Sequence, residues 1–227
     1  MPVFSQIRAI SLRDQVAEQI RIAIIEGRLK PGDHIVEATL TEQFGVSRTP
    51  VREALIILER ESLVISIPNY GCYVRAFTAD DIRALFSMRV ALENFAAELI
   101  VDKLDANDHA HLNDLIERQR RLIEQNNFRE VRSTDMEFHR YLVTRSEHPH
   151  LMRNWQEIVA QIAAVLYLRA EGIGDYDEYL AIEDHRRILD AYIARNLAQI
   201  AHENRRINKR VEDECVLALG RIQAGSS

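Results

Sequence analysis

Apolar residues recur every three or four positions along most of this 227-residue chain, which is the spacing of amphipathic α-helices. The pattern changes only between residues 64 and 74, where β-rich runs flank a turn. The chain is therefore predicted to be mainly α, with one small β-hairpin. Helices are expected at 11–26, as a pair joined at Gly45 within 37–59, and at 78–101, 106–125, 128–145, 149–170, 178–194 and 197–220.

The β-rich segment after Leu63 has the sequence VISIPNYGCYV, and it divides the chain into two parts. Its turn at residues 68–71 contains Pro68, which keeps the segment from being a central strand. A hairpin beside three short helices is typical of a winged helix-turn-helix, which we expect over residues 1–75. No further strand signal follows, so residues 76–227 are predicted to form a separate all-α helical bundle.

Residues 37–59, EATLTEQFGVSRTPVREALIILE, have the features of a helix pair that binds a nucleic-acid groove. Gly45 permits the positive φ needed between the helices, and Ser47 is the expected N-cap of the second helix. Pro50 is tolerated in a first turn. A solvated helix with scattered arginines is the alternative, but it does not account for this combination. The side chains expected to meet phosphates and base edges are Ser47, Arg48, Thr49 and Arg52.

The net charge of −6 is unevenly distributed, because residues 1–75 carry nine basic and nine acidic side chains. The acidic excess therefore lies outside the predicted DNA-binding part. A neutral module binds weakly as a single copy, which favours a homodimer on two half-sites. The chain has no apolar run long enough to span a membrane, and residues 1–10 lack the apolar core of a secretion signal. The two cysteines, Cys72 and Cys215, do not have the spacing of zinc ligands, and nothing favours a disulfide between them. The reducing cytoplasm is therefore the expected location.

Polar residues interrupt the apolar stripes of three predicted helices in the second part. Asp135 and His139 lie one turn apart, His185 interrupts the stripe of 178–194, and Arg89 interrupts that of 78–101. Their convergence would form a polar pocket that could hold Zn, Ni or Mn. The alternatives are a helix-surface hydrogen bond between Asp135 and His139, a satisfied core histidine at 185, and an intrahelical ion pair of Arg89 with Glu93.

The run PGDHIVEATLTEQFGVSRTPVREAL closely resembles the DNA-binding segment of the GntR family of bacterial transcriptional regulators. The resemblance implies DNA contacts by the four side chains of the second helix and places Gly71 at the wing tip. Many members have an arginine where this chain has Tyr70, and some have a DNA-contacting arginine where it has Ala38. We therefore carry no contact over to these two positions.

The second part resembles the FCD ligand-binding domain of the FadR branch of that family. The similar pieces are MRVALE (88–93), TDMEFHRYL (134–142) and EDHRRILDAYIARN (183–196). The resemblance implies that Asp135, His139 and His185 bind a divalent metal and that Arg89 pairs with the carboxylate of an effector. A further histidine is usual where this chain has Ile207, while Asn204, one turn earlier, could face the pocket.

These expectations combine into a regulator that binds a palindromic operator as a homodimer and responds to a small organic acid. Two rival functions remain at this point. The first is a metalloenzyme that uses Asp135, His139 and His185 around a water, although no general base or nucleophile motif accompanies them. The second is a nucleoid-type DNA binder whose helical part is inert.

Overall fold

A computed structural model describes residues 11–174 and 177–225 of the chain. The chain divides into two compact units, Met1–Ala76 and Phe77–Ser227. Residues 1–10, which entered the argument against a secretion signal, lie outside the described part. None of the described helices is long and apolar enough to cross a membrane.

The first unit is a winged helix-turn-helix, as predicted. In chain order its elements are α1 (Leu12–Ile25), β1 (His34–Ile35), α2 (Glu37–Phe44), α3 (Arg48–Arg60), β2 (Val64–Ile67) and β3 (Gly71–Val74). Ser11 begins α1 by accepting a hydrogen bond from the backbone of Asp14. α1 packs against α3 through fully buried aliphatic side chains that include Ile20 and Val51. Gly45 ends α2 with φ of 63°, the left-handed conformation expected there.

The sheet of this unit has three antiparallel strands rather than the two predicted, in the order β1-β3-β2. β1 contains two residues, which is too short for an alternating pattern to be recognised. Gly71 begins β3 opposite Ile67. The wing tip therefore consists of residues 68–70 and not of Gly71, as the resemblance implied. Gly71 has φ of 109°, and a Cβ there would lie 2.5 Å from His34 Nε2 on β1. Only glycine fits this position without strain.

The second unit is a bundle of six helices in the described residues, as predicted. They are α4 (Ala79–Ile100), α5 (Ala106–Glu124), α6 (Phe128–Arg145), α7 (Pro149–Gly172), α8 (Tyr179–Ile193) and α9 (Leu197–Gly225). A capping box of Thr78 and Asp81 begins α4, while α9 continues past the predicted end at 220. α4 packs against α6, α7 and α9, and α5 packs against α6 and α8. This arrangement brings α4, α6 and α8 together around one polar region.

Candidate functional site

The start of α3 presents its polar side chains to solvent. Arg48, Thr49 and Arg52 are exposed, whereas Val51 and Leu58 on the other side are fully buried. Ser47 is the N-cap, in extended conformation, but its hydroxyl makes no capping hydrogen bond in the described structure. The first turn therefore keeps its N–H groups, hydroxyls and guanidinium groups on one accessible surface.

Arg52 forms an ion pair with Glu37 of α2, with Nε and Oε2 2.8 Å apart. The pair is open to water, since the two side chains are 62% and 38% exposed. Exposed pairs of this kind contribute about 0–1 kcal/mol, so Arg52 can exchange the carboxylate for a phosphate at little cost.

The wing tip carries an exposed aromatic side chain instead of a charge. Tyr70 is 72% exposed, and its carbonyl accepts a hydrogen bond of 3.1 Å from the Tyr73 hydroxyl. The Tyr73 ring in turn stacks on His34, with ring centroids 4.8 Å apart. The hydrogen bond and the stack fix the backbone of the tip while leaving the Tyr70 ring in water.

Three of the predicted pocket residues converge in the second unit. Asp135 and His139 come from α6 and His185 from α8, and one ligand atom of each lies within 4.8 Å of the others. His185 Nε2 is 3.3 Å from His139 Nε2 and 3.3 Å from Asp135 Oδ1. Both histidines are buried and the aspartate is partly buried.

The outer nitrogen of each histidine is held by an oxygen acceptor. His139 Nδ1 lies 2.9 Å from Glu93 Oε1, and His185 Nδ1 lies 3.0 Å from Gln119 Oε1. Because these oxygens only accept, each Nδ1 carries a hydrogen, and each Nε2 faces inward, where the neutral ring presents a lone pair. Burial lowers the pKa of His139 and the Arg89 guanidinium lowers it further, which favours the neutral ring.

The inward-facing atoms thus form a set of acceptors that lacks a donor. Two imidazole lone pairs and the carboxylate of Asp135 face one another within 4.8 Å. Such a set repels itself unless a cation lies among its members, and nitrogen and oxygen donors suit Zn, Ni or Mn. The residues therefore fit a divalent metal.

Arg89 and Glu93 form the intrahelical pair considered as an alternative, but the pair is buried and belongs to the site. Arg89 Nε is 2.8 Å from Glu93 Oε1, the oxygen that also accepts from His139, and the two side chains are 4% and 6% exposed. Asn208 donates to the other oxygen at 3.1 Å. Burial alone would raise the pKa of Glu93, but Arg89 and His139 outweigh it and lower the pKa to about 2. Glu93 is therefore a carboxylate shared by a metal-ligand candidate and an arginine.

Sequence reasoning missed the positions of Glu93 and Gln119 in this site. Gln119 interrupts the buried apolar stripe of α5, among residues such as Leu115, Ile116 and Ile123. The signal that identified the other polar intrusions was therefore present at Gln119 as well.

A small cavity adjoins the cluster. Its volume is about 30 Å³. Arg89 and Ile207 both line it. Ile207 therefore lies in the cavity wall, at the position where the resemblance to the FCD domain implies a further histidine. Asn204 is not among the lining residues, and its amide donates to Asn94 at 3.0 Å. The lining residues are Arg89, Asp135, His139, Leu166, Arg169, Ala181, Asp184, His185, Ile207, Arg210 and Val211.

Comparison with known proteins identifies both units. Residues 12–74 match the model of the bacterial regulatory proteins of the gntR family, and residues 84–209 match the FCD domain. The HTH-type transcriptional regulator YdhC of Bacillus subtilis is 30% identical, over 80% of this chain and 81% of its own length. The gluconate operon transcriptional repressor of the same organism is 28% identical, over 77% and 72%.

A solved structure agrees with these sequence matches. The Escherichia coli regulator McbR/YncC superposes with a TM-score of 0.77 at 25% identity, covering 89% of this chain and 95% of that one. Its fold and the relatives are those of transcriptional regulators, so the metalloenzyme interpretation is not supported. The chain belongs to the GntR family, combines its helix-turn-helix with an FCD domain, and is a DNA-binding transcriptional regulator.

Proposed function

We propose that this regulator changes its operator affinity when a small organic acid binds beside a divalent metal in the FCD domain. The observation that carries the proposal is the set of inward-facing acceptors on Asp135, His139 and His185, whose two rings are oriented by buried partners. A bound ion would supply a Lewis-acidic position for a carboxylate. The response can change operator affinity only by the preference of the effector for one conformation, typically about 1–3 kcal/mol.

Arg89 is the proposed partner of the effector carboxylate. It lines the cavity, and only the Nε of its five N–H donors is used by Glu93 in the pair described above. We do not carry Asn204 into this proposal, because its amide is hydrogen-bonded to Asn94 and does not line the cavity.

On the DNA side, the start of α3 enters the major groove and the wing follows the adjacent groove or backbone. Ser47, Arg48, Thr49 and Arg52 make the phosphate and base contacts, with Gly71 allowing the close turn behind the wing tip. The protein acts as a homodimer on a palindromic operator, because a neutral module needs a second half-site for useful affinity. Since its target is chromosomal DNA, we expect it in the cytoplasm.

Arg48→Ala tests the DNA contacts against a duplex selected by the wild-type protein from a random library. The variant is expected to lose about 1–3 kcal/mol of binding and to reduce the salt dependence by about one phosphate contact. Arg60→Ala is the matched control, because Arg60 is an exposed arginine in the last turn of the same helix. Equal affinities of the two variants in a gel shift would contradict the assignment of α3.

Elemental analysis after dialysis against Zn, Ni or Mn tests the metal site. The wild type should retain one ion per chain, and Asp135→Ala combined with His185→Ala should retain none, because two of three ligands are gone. His202→Ala, which removes an exposed histidine of α9, should behave as the wild type. A wild type that retains no ion would exclude the metal site and leave the DNA contacts untouched.

A thermal-shift screen of carboxylic acids, with and without chelator, tests the effector. Binding to the native state raises the melting temperature by mass action, and loss of the shift with chelator reports the ion. An acid that stabilises the protein should then change the dissociation constant for the selected duplex. If no stabilising acid changes that constant, the helical domain is inert, as in the nucleoid-type alternative.

A further inference from the structure

The cavity is too small for the ligand that the proposed function requires. Its volume of about 30 Å³ exceeds the roughly 10–15 Å³ that a single water needs. Pockets that hold organic ligands are roughly 300–1,000 Å³. An ion or a water therefore fits, whereas an organic acid requires part of the wall to move.

A much larger space lies on the other side of one wall. A groove of about 560 Å³ runs along α9, where Leu217 contributes an exposed apolar side chain. Among the residues that line either space in the described structure, Arg210 is shared by both. The cavity and the groove therefore adjoin at Arg210. The residues lining the groove are Arg206, Lys209, Arg210, Asp213, Glu214 and Leu217.

Both carboxylates that pair with Arg210 have a second arginine partner. It pairs with Asp184 through NH2 and with Glu214 through NH1, the latter at 2.8 Å, and its side chain is 26% exposed. Asp184 is buried, but Arg206 also donates to it, at 2.7 Å. When Arg210 swings outward, Asp184 keeps a cationic partner, so the movement leaves no buried carboxylate unpaired.

We propose that the ligand site is the cavity and the groove joined together, and that Arg210 is the side chain that opens between them. The inference rests on the proposed metal and effector site. A small organic anion enters from the groove, whose lining carries three cationic and two anionic side chains. Its carboxylate reaches Arg89 and the metal ligands while the rest occupies the space that Arg210 vacates.

The test measures access with the metal alone, using the full-length protein loaded with Zn. Release into excess EDTA is followed by stopped flow for the wild type, Arg210→Ala and Arg206→Ala. Arg206 is the matched control, because it shares Asp184 and the groove with Arg210 but does not line the cavity. Arg210→Ala should accelerate release about tenfold, equivalent to about 1.4 kcal/mol, with Arg206→Ala near the wild type.

The direction of the change distinguishes an entrance from a simple charge effect. Removing a positive charge near a bound cation holds the ion more tightly and slows release, whereas removing a barrier speeds it. Slower or unchanged release from Arg210→Ala, or equal acceleration by Arg206→Ala, would overturn the inference. Arg210→Gln replaces Arg210→Ala if the smaller residue prevents folding.

A second measurement does not depend on metal binding. Diethyl pyrocarbonate modifies accessible imidazoles, and peptide mapping of the metal-free protein gives the rates at His139 and His185. Both rates should rise in Arg210→Ala and not in Arg206→Ala. If the wild type binds no ion, the proposed metal site is wrong, but the modification rates still test whether Arg210 controls access to the cavity. Equal rates in all three proteins would refute that role of Arg210.

Discussion

Glu93→Gln is the most informative single change in the helical domain, because one carboxylate serves two buried groups. Glu93 Oε1 accepts from Arg89 Nε at 2.8 Å and lies 2.9 Å from His139 Nδ1. The amide keeps the size of the side chain but removes its negative charge. Arg89, 4% exposed, then loses the carboxylate to which it is hydrogen-bonded.

The expected cost follows from burial. Breaking a buried pair on one side destabilises by about 3–5 kcal/mol, so the metal-free variant should lose about that much unfolding free energy. Glu117→Gln is the matched control: Glu117 and Arg186 are also 2.8 Å apart, but 35% and 37% exposed. Its loss should stay within about 1 kcal/mol. The pair distance is the same in both cases, so the difference between the variants reports burial together with the additional contacts of Glu93 with His139 and Asn208.

Urea unfolding in excess EDTA measures both free energies, and chelator competition then measures metal affinity. Weaker orientation of His139 should lower the affinity for the ion about 10–100-fold. Adding Arg89→Met to Glu93→Gln should recover much of the stability, because the guanidinium that lost its carboxylate partner is removed as well. If Glu93→Gln costs less than about 1 kcal/mol, as an exposed pair would, the buried network does not exist as described.

Two further predictions concern other parts of the chain. Burial alone would raise the pKa of Asp108, but hydrogen bonds from neighbouring side chains outweigh it and lower the pKa. The contribution of Asp108 to the free energy of unfolding is therefore complete above about pH 4 and is lost as the pH falls through the folded-state pKa. The difference in unfolding free energy between the wild type and Asp108→Asn should shrink on acidification. A difference that stays constant from pH 7 to pH 3 would contradict this. Gly71→Ala should lower the melting temperature of the helix-turn-helix domain more than Gly32→Ala, because both positions have positive φ but only Gly71 faces His34, at 2.5 Å from the added Cβ. Equal effects would show that backbone strain alone matters.

The helices could be predicted because their signals are local. Ser11 and Thr78 accept hydrogen bonds from backbone amides three residues away, so the residues that define the start of a helix lie within a single turn. β1 could not be predicted in this way, since His34 and Ile35 become a strand only by pairing with β3. The need for glycine at 71 has the same origin, because its steric neighbour lies on another strand.

The sequence predicted which residues form the candidate site, but not which residues hydrogen-bond to its histidines. Asp135, His139 and His185 each interrupt an apolar stripe, and their spacing along two helices can be recognised without coordinates. The partners on Nδ1 come from α4 and α5, at Glu93 and Gln119. Their role depends on which helices are neighbours, and periodicity along a single helix does not specify that.

The presence of Ile207 in the cavity wall has a consequence for how the two proposed ligands act on each other. Three protein donors fill fewer positions around an ion than four, so more positions remain for the effector carboxylate. Binding of the acid should then strengthen retention of the ion, and by linkage the ion must strengthen binding of the acid by the same factor. Titrating the ion with and without an acid found in the screen, and the acid with and without the ion, gives two ratios. They must be equal at equilibrium, and both must exceed one if the acid and the ion share the site; ratios of one would mean that the acid binds elsewhere.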